Sequence, residues 1–138
     1  MIYLQERGLT EYDALAEKAT AATNHFNDIS DRLKTIETRL GAITALQKYI
    51  GNYSKTRDIY VQYRQSGYNK KHYAQHEGDI ILHQAAEKHF DSLGLKKLPT
   101  MNMLKQEYAT LSAEKKKFYQ GYRPAREEMM ELLGLNQT

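Results

Sequence analysis

The chain has 138 residues, 41% apolar and 27% charged, with two prolines, no tryptophan and no cysteine. That balance favours long helices over a compact α/β enzyme, and it excludes disulfides and thiolate metal sites. The net charge of +3 is mild but uneven. Residues 1–47 sum to −2. Residues 48–73 carry Lys48, Lys55, Arg57, Arg64, Lys70 and Lys71 against the single acid Asp58, a local +5 able to attract a polyanion. Residues 74–138 balance.

No apolar run approaches the ~20 residues of a membrane span. The opening Met-Ile-Tyr-Leu-Gln-Glu-Arg lacks the basic-then-apolar order of a signal peptide. A reducing, cytoplasmic setting follows as the expectation.

In chain order, Ile2 to Arg7 reads as the end of an upstream element, stopped by Gly8. Thr10-Glu11-Tyr12-Asp13 then reads as an N-cap, with the Thr10 hydroxyl accepting from the Asp13 N–H. From Leu15 the residues Ala19, Ala22, Phe26, Ile29, Leu33, Ile36, Leu40, Ile43, Gln47 and Ile50 alternate steps of four and three. This is a heptad seam, by which a helix buries one stripe against another. Tyr53, Tyr60, Val61 and Tyr63 keep a helical spacing, and one exposed Gly51 costs only about 1 kcal/mol. The first helix is therefore placed at about 11–66, roughly 80 Å at ~1.5 Å per residue.

Ser66-Gly67-Tyr68-Asn69 is the stop, and Asn69 caps a second helix over about 70–93. Its expected buried stripe is Tyr73, Ile80, Ala86, Phe90 and Leu93, with Gly94 closing it. Pro99 biases Leu98 away from helix. A third helix, about 101–133, is capped by Thr100 or Asn102. It carries the seam Leu104, Tyr108, Leu111, Lys115, Phe118, Tyr122, Ala125, Met129 and Leu132, broken only by Lys115. Pro124 should kink this helix without stopping it, and Gly134 should cap it.

The fold class is thus all-α: three helices in an elongated antiparallel coiled-coil-like bundle, one helical domain over 1–138. Because the first helix far outruns the second, the seam at Phe26, Ile29, Leu33, Ile36 and Leu40 is expected to lie uncovered. It would then associate with a second copy or with another protein.

Chemistry-bearing constellations are few. Four histidines fall in the second helix. His72 and His76, four apart, share a face and form the best metal pair, with Asp79 and His83 as possible additions. There is no His-Glu-x-x-His motif, no thiolate, no glycine-rich phosphate loop and no convergent Ser-His-Asp set. No metal, no other cofactor and no small-molecule substrate is expected.

Six of the eleven tyrosines (Tyr49, Tyr53, Tyr60, Tyr63, Tyr68 and Tyr73) crowd the basic segment. Interleaved with cations they suit single-stranded nucleic acid, with bases on rings and cations on phosphates. The alternative is a seam of rings between helices. Lys70 and Lys71 stand in the first turn of the second helix, where the macrodipole disfavours cations. A bound phosphate would relieve this, as would the nearby end of the first helix.

From Tyr53 onward the chain resembles a known family. The residues are Tyr53-Ser-Lys-Thr-Arg-Asp-Ile-Tyr60, Tyr63-Arg-Gln-Ser-Gly-Tyr-Asn-Lys-Lys71 and His76-Glu-Gly-Asp-Ile-Ile-Leu-His83 with Ala85-Ala86. Leu98-Pro99, Glu107-Tyr108-Ala109 and Tyr122-Arg-Pro-Ala-Arg-Glu-Glu-Met129 complete the match. Together they resemble the C-terminal helical region of relaxases, the mobilization nucleases of Gram-positive conjugative or mobilizable elements. Leu9-Thr-Glu-Tyr-Asp13 is similar to the lead-in those proteins place before a long helix. Pro124 departs from the helix-compatible residue expected there.

The resemblance implies full-length enzymes that nick DNA at a transfer origin. They use an N-terminal catalytic tyrosine and a metal held by a histidine cluster that includes His-hydrophobic-His. No His-x-His occurs here. The implied identity is a fragment from the non-catalytic end, with Met1 an internal residue or an artificial start. It would be an accessory domain of a plasmid mobilization protein, not itself an enzyme, supporting DNA holding and assembly of the conjugative transfer complex. Lys55, Arg57, Arg64, Lys70 and Lys71 are the expected DNA contacts. The alternative is a coiled-coil protein-interaction module without nucleic-acid binding. Its partner would be a second copy or a transfer-complex protein on the Phe26–Leu40 seam.

Overall fold

The computed structural model describes residues 2–134, and side chains from residue 10 onward. Three helices follow one another: α1 (Ile2–Gln65), α2 (Lys70–Ser92) and α3 (Met101–Leu132). The fold is all-α. The bounds agree with the sequence reading to a residue or so, except at the start, because α1 runs through Gly8 and Thr10. Thr10 is therefore inside a helix and is not its N-cap. A helix already propagating gains a hydrogen bond with each added residue, which outweighs a single interior glycine. The reading of Met1 lies outside the described residues.

The punctuation between helices has clear local causes. After Gln65 the Gly67 N–H donates to the Arg64 carbonyl and the Tyr68 N–H to the Tyr63 carbonyl. This is the Schellman pairing, with Gly67 at φ +73° as C′. Tyr68 follows at φ +61°, the one non-glycine described in the left-handed region, and its ring edge meets Tyr63 at 5.3 Å. Asn69 then caps α2, its Oδ1 accepting from the N–H groups of Lys71 (2.8 Å) and His72 (3.2 Å). The same pairing recurs after α2, where Gly94 donates to Asp91 and Leu95 to Phe90. Thr100, not Asn102, caps α3, its hydroxyl accepting from the Met103 N–H at 3.1 Å. α3 continues through Pro124.

The single helical domain expected over 1–138 is organised as two compact units that share α1 and α3. The first comprises residues 1–39 and 110–138. In it Ile29 and Leu33 of α1 and Ala125 of α3 form a buried cluster, flanked by Phe26, Phe118 and Tyr122. The Phe26 and Tyr122 rings lie 5.2 Å apart. Polar contacts fix the register at the edge of this core. Arg32 Nε donates to Glu114 Oε1 at 2.9 Å, and the Tyr119 hydroxyl donates to Glu37 Oε1 at 2.7 Å. Lys115, the break in the α3 seam, pairs with Glu37 at 3.7 Å.

The uncovered seam is corrected here. Ile29, Leu33, Ile36 and Leu40 are buried and Phe26 is half-buried, all within the chain itself. In the first unit the second half of α3 supplies the apolar partners of Ile29 and Leu33, namely Phe118, Tyr122 and Ala125. Exposure along the stripe is confined to its start, at Tyr12 (68%) and Leu15 (51%).

The second unit is residues 40–109. Leu40, Ile43, Leu46 and Ile50 of α1, Ile80, Ala86 and Phe90 of α2, and Leu104 of α3 are buried in it. Leu46, not Gln47, carries the seam here: after Ile43 the step is three then four, and Gln47 is half-buried. On α2 two expectations change. Tyr73 is half-buried and Leu93 is 49% exposed, because Leu93 is the C-cap residue beyond the last full turn. His83 takes a core place instead. α2 also bends at His76, which leaves the helical region (φ −128°, ψ 26°).

Candidate nucleic-acid interface

The face where α1 meets α2 is built from rings. Tyr49 stacks on His89 at 4.2 Å between centroids. Tyr53 and Tyr60, two turns apart on α1, stack on His83 at 4.5 and 4.3 Å. Tyr63 lies parallel to His72 at 6.0 Å, and Tyr53 meets Phe90 edge-on at 5.7 Å. The ring-seam alternative thus accounts for most of the clustered tyrosines. Offset stacking adds about 0.5–1.5 kcal/mol per pair beyond burial. Tyr68, at the turn and 55% exposed, is the clustered tyrosine left most open.

His83 is 2% exposed, and buried polar groups need partners. The Thr56 hydroxyl donates its only hydrogen to the Asn52 carbonyl at 2.6 Å. Its oxygen can therefore only accept from His83 Nδ1, 3.1 Å away, which fixes the proton on Nδ1. His83 Nε2 lies 3.2 Å from Glu87 Oε1. That contact is a hydrogen bond only when Nε2 also carries a proton. The Glu87 side chain remains 43% exposed.

Outside this clasp lies a groove of about 290 Å³ lined by Tyr53, Arg57, Tyr60, Arg64, His83 and Glu87, among others. Burial holds the Tyr60 phenol above its ordinary range, and the Glu87 charge adds to the effect. Tyr60 therefore stays a neutral donor there.

The five expected DNA-contact residues are all exposed, and none makes an ion pair among the described residues. Arg57 and Arg64, seven apart, share a face and line the groove. Lys55 stands two residues before Arg57, about 200° around α1, and so on another side. Lys70 and Lys71 occupy the first turn of α2, which has no acidic residue. The four-residue turn brings them close to the carbonyl end of α1, which offsets the macrodipole cost without requiring an anion. The structure therefore groups Arg57 with Arg64 on the groove and leaves Lys55 on another side of α1.

The histidine pair comes together only in part. The His72 and His76 rings lie 4.7 Å apart. No set of three or more metal-binding side chains converges among the described residues. His83 Nδ1 is committed to Thr56. His72 Nδ1 is buried without a partner, so ligation through Nε2 would lack the acceptor that orients a metal-bound imidazole.

Thr56 and Glu87 were not among the expected site residues. The signal for Thr56 is the continuation of the 3–4 stepping past Gly51, through Tyr53, Thr56, Tyr60 and Tyr63, which puts a hydroxyl on the buried stripe, and that for Glu87 is its place four residues after His83 on α2.

Among the described residues, no helix is long and apolar enough to cross a membrane. The chain matches no protein-family profile, no curated protein and no solved structure in comparisons with each.

Proposed function

We propose that this chain is a non-catalytic helical accessory domain of a DNA-mobilization relaxase, acting in the cytoplasm to hold DNA and to support assembly of the transfer complex. The observation that carries the DNA part is the set of exposed, unpaired cations Lys55, Arg57, Arg64, Lys70 and Lys71 around the α1–α2 corner. A cation without a carboxylate partner keeps its full charge for a polyanion and releases condensed counterions on contact. The relaxase assignment rests on the resemblance of the segments from Tyr53 to Met129.

The test is binding of labelled single- and double-stranded DNA at about 50 and 200 mM salt, where five cation–phosphate contacts lose about 10²–10³ in affinity. Replacing the five cations together should weaken binding and flatten its salt dependence. Absence of binding at the lower salt would overturn the DNA-holding role.

A second reading, self-association without DNA, has one observation in its favour. Tyr12 and Leu15 share a face of α1 and are both more than half exposed. Sedimentation of the native chain against Leu15→Glu tests it. A clean monomer at high concentration for both proteins would refute it.

A further inference from the structure

The groove between Arg57 and Glu87 has a chemistry more specific than a basic patch. Its rim carries Arg57 and Arg64 from one face of α1, their Cα atoms about 10 Å apart along the axis at two turns' separation. Its lining also carries the Glu87 carboxylate, whose Oε1 lies 3.2 Å from His83 Nε2 and whose side chain is 43% exposed. The Tyr53 and Tyr60 rings are pinned by their stacks on His83, so these walls do not collapse inward. A ligand that fits must bring negative charge to the rim and N–H donors to the wall. Inorganic phosphate satisfies only the rim, and it would meet repulsion from Glu87. At about 290 Å³ the groove is at the small end of the ~300–1,000 Å³ typical of ligand pockets, room for one base and not for a duplex.

The geometry points to recognition of one unpaired nucleotide of single-stranded DNA, its flanking phosphates on Arg57 and Arg64 and its base edge on Glu87. This rests on the DNA-holding reading and gives it a form. Guanine fits best, because its N1–H and N2–H₂ present adjacent donors to a carboxylate, whereas thymine offers a single ring N–H between two carbonyls that Glu87 would repel. Guanidiniums are the natural rim, since Arg pairs with phosphate in a fixed fork that Lys lacks.

The experiment is fluorescence-anisotropy titration of the full chain at about 50 mM salt with three probes. They are single-stranded (dTdTdG)₄, single-stranded dT₁₂ and a duplex of equal length. The native chain is expected to bind (dTdTdG)₄ about tenfold more tightly than dT₁₂, the discrimination of one good bidentate base contact. Glu87→Gln should erase that preference while keeping dT₁₂ binding. The exposed pair Arg57→Ala and Arg64→Ala should weaken both single strands more than Lys55→Ala does. Circular dichroism of each variant confirms that the helices are intact.

If DNA binds but the two arginine variants match Lys55→Ala, or the duplex is preferred, the groove assignment is overturned while DNA holding stands. If the native chain preferring (dTdTdG)₄ keeps that preference in Glu87→Gln, Glu87 does not read the base and the assignment is again overturned. If no probe binds, both readings fall.

Discussion

Thr56 and His83 meet 3.1 Å apart in the core of the second unit, and the proton between them belongs to the histidine because Thr56 has already given its own to Asn52. These are the two buried polar side chains among the described residues, and they satisfy each other. Thr56→Val keeps the shape but leaves His83 Nδ1–H without an acceptor, so it should cost about 1–3 kcal/mol in urea unfolding. Thr56→Ser keeps the hydroxyl and loses only a methyl. It should cost less than the valine. The opposite order would mean that packing, not the hydrogen bond, is what Thr56 supplies.

The covered seam gives a sharper result than the exposed one would. Ile29 and Leu33 are buried against α3 in the first unit. Ile29→Ala and Leu33→Ala should each cost about 2–5 kcal/mol, the range for emptying a core position. Ile29→Glu with Leu33→Glu should strip hydrogen-exchange protection from the Phe118–Ala125 stretch of α3. Were the seam an open association face, the same double change would leave that protection intact and alter only sedimentation.

Much of this architecture was legible because helices announce themselves through period, caps and stops. The 3–4 stepping, Asn69, Gly94 and Gly134 read directly from the chain, and α2 and α3 followed to within a residue. Partnership was harder to read. Heptad spacing says that Phe26 to Leu40 is buried against something. It does not say that α3 turns back far enough to bury it, since that depends on where Phe118, Tyr122 and Ala125 end up. The site was legible only as ingredients. The cluster of tyrosines and cations was visible, but the His83 clasp depends on the register between α1 and α2. That register follows from packing across sequence separations of about 27 residues, such as Thr56 to His83.

Alkaline pH should expose the Tyr119–Glu37 bond. That hydrogen bond, made by the neutral phenol, is the main reason Tyr119 holds its proton above the ordinary value of 10.0. With the folded value raised, the contribution to stability is fully present below the unfolded value and is lost as pH rises through the folded one. Tyr119→Phe should therefore unfold more easily than the native chain near neutrality, and the gap should narrow above about pH 10. Thermal midpoints of the two proteins across that range check the sign. The group is solvent-exposed, so the effect should be small and should vary little with salt, because the bonded form of Tyr119 is uncharged.

Two kinds of glycine should respond oppositely to the same substitution. Gly94 sits at φ +64°, closing the Schellman turn after α2, where an L-residue pays about 1–2 kcal/mol for the left-handed conformation. Gly94→Ala should destabilise by about that much. Gly51 lies inside α1, and a Cβ added there would meet nothing within 4 Å. In a continuous helix, Gly51→Ala removes backbone freedom from the unfolded chain and fills open space, so it should stabilise by up to about 1 kcal/mol. Urea midpoints of the two variants, measured side by side, separate the cases. A loss of stability in Gly51→Ala would mean that α1 breaks at Gly51-Asn52 and that the Tyr53–Tyr63 face is held by a separate helix.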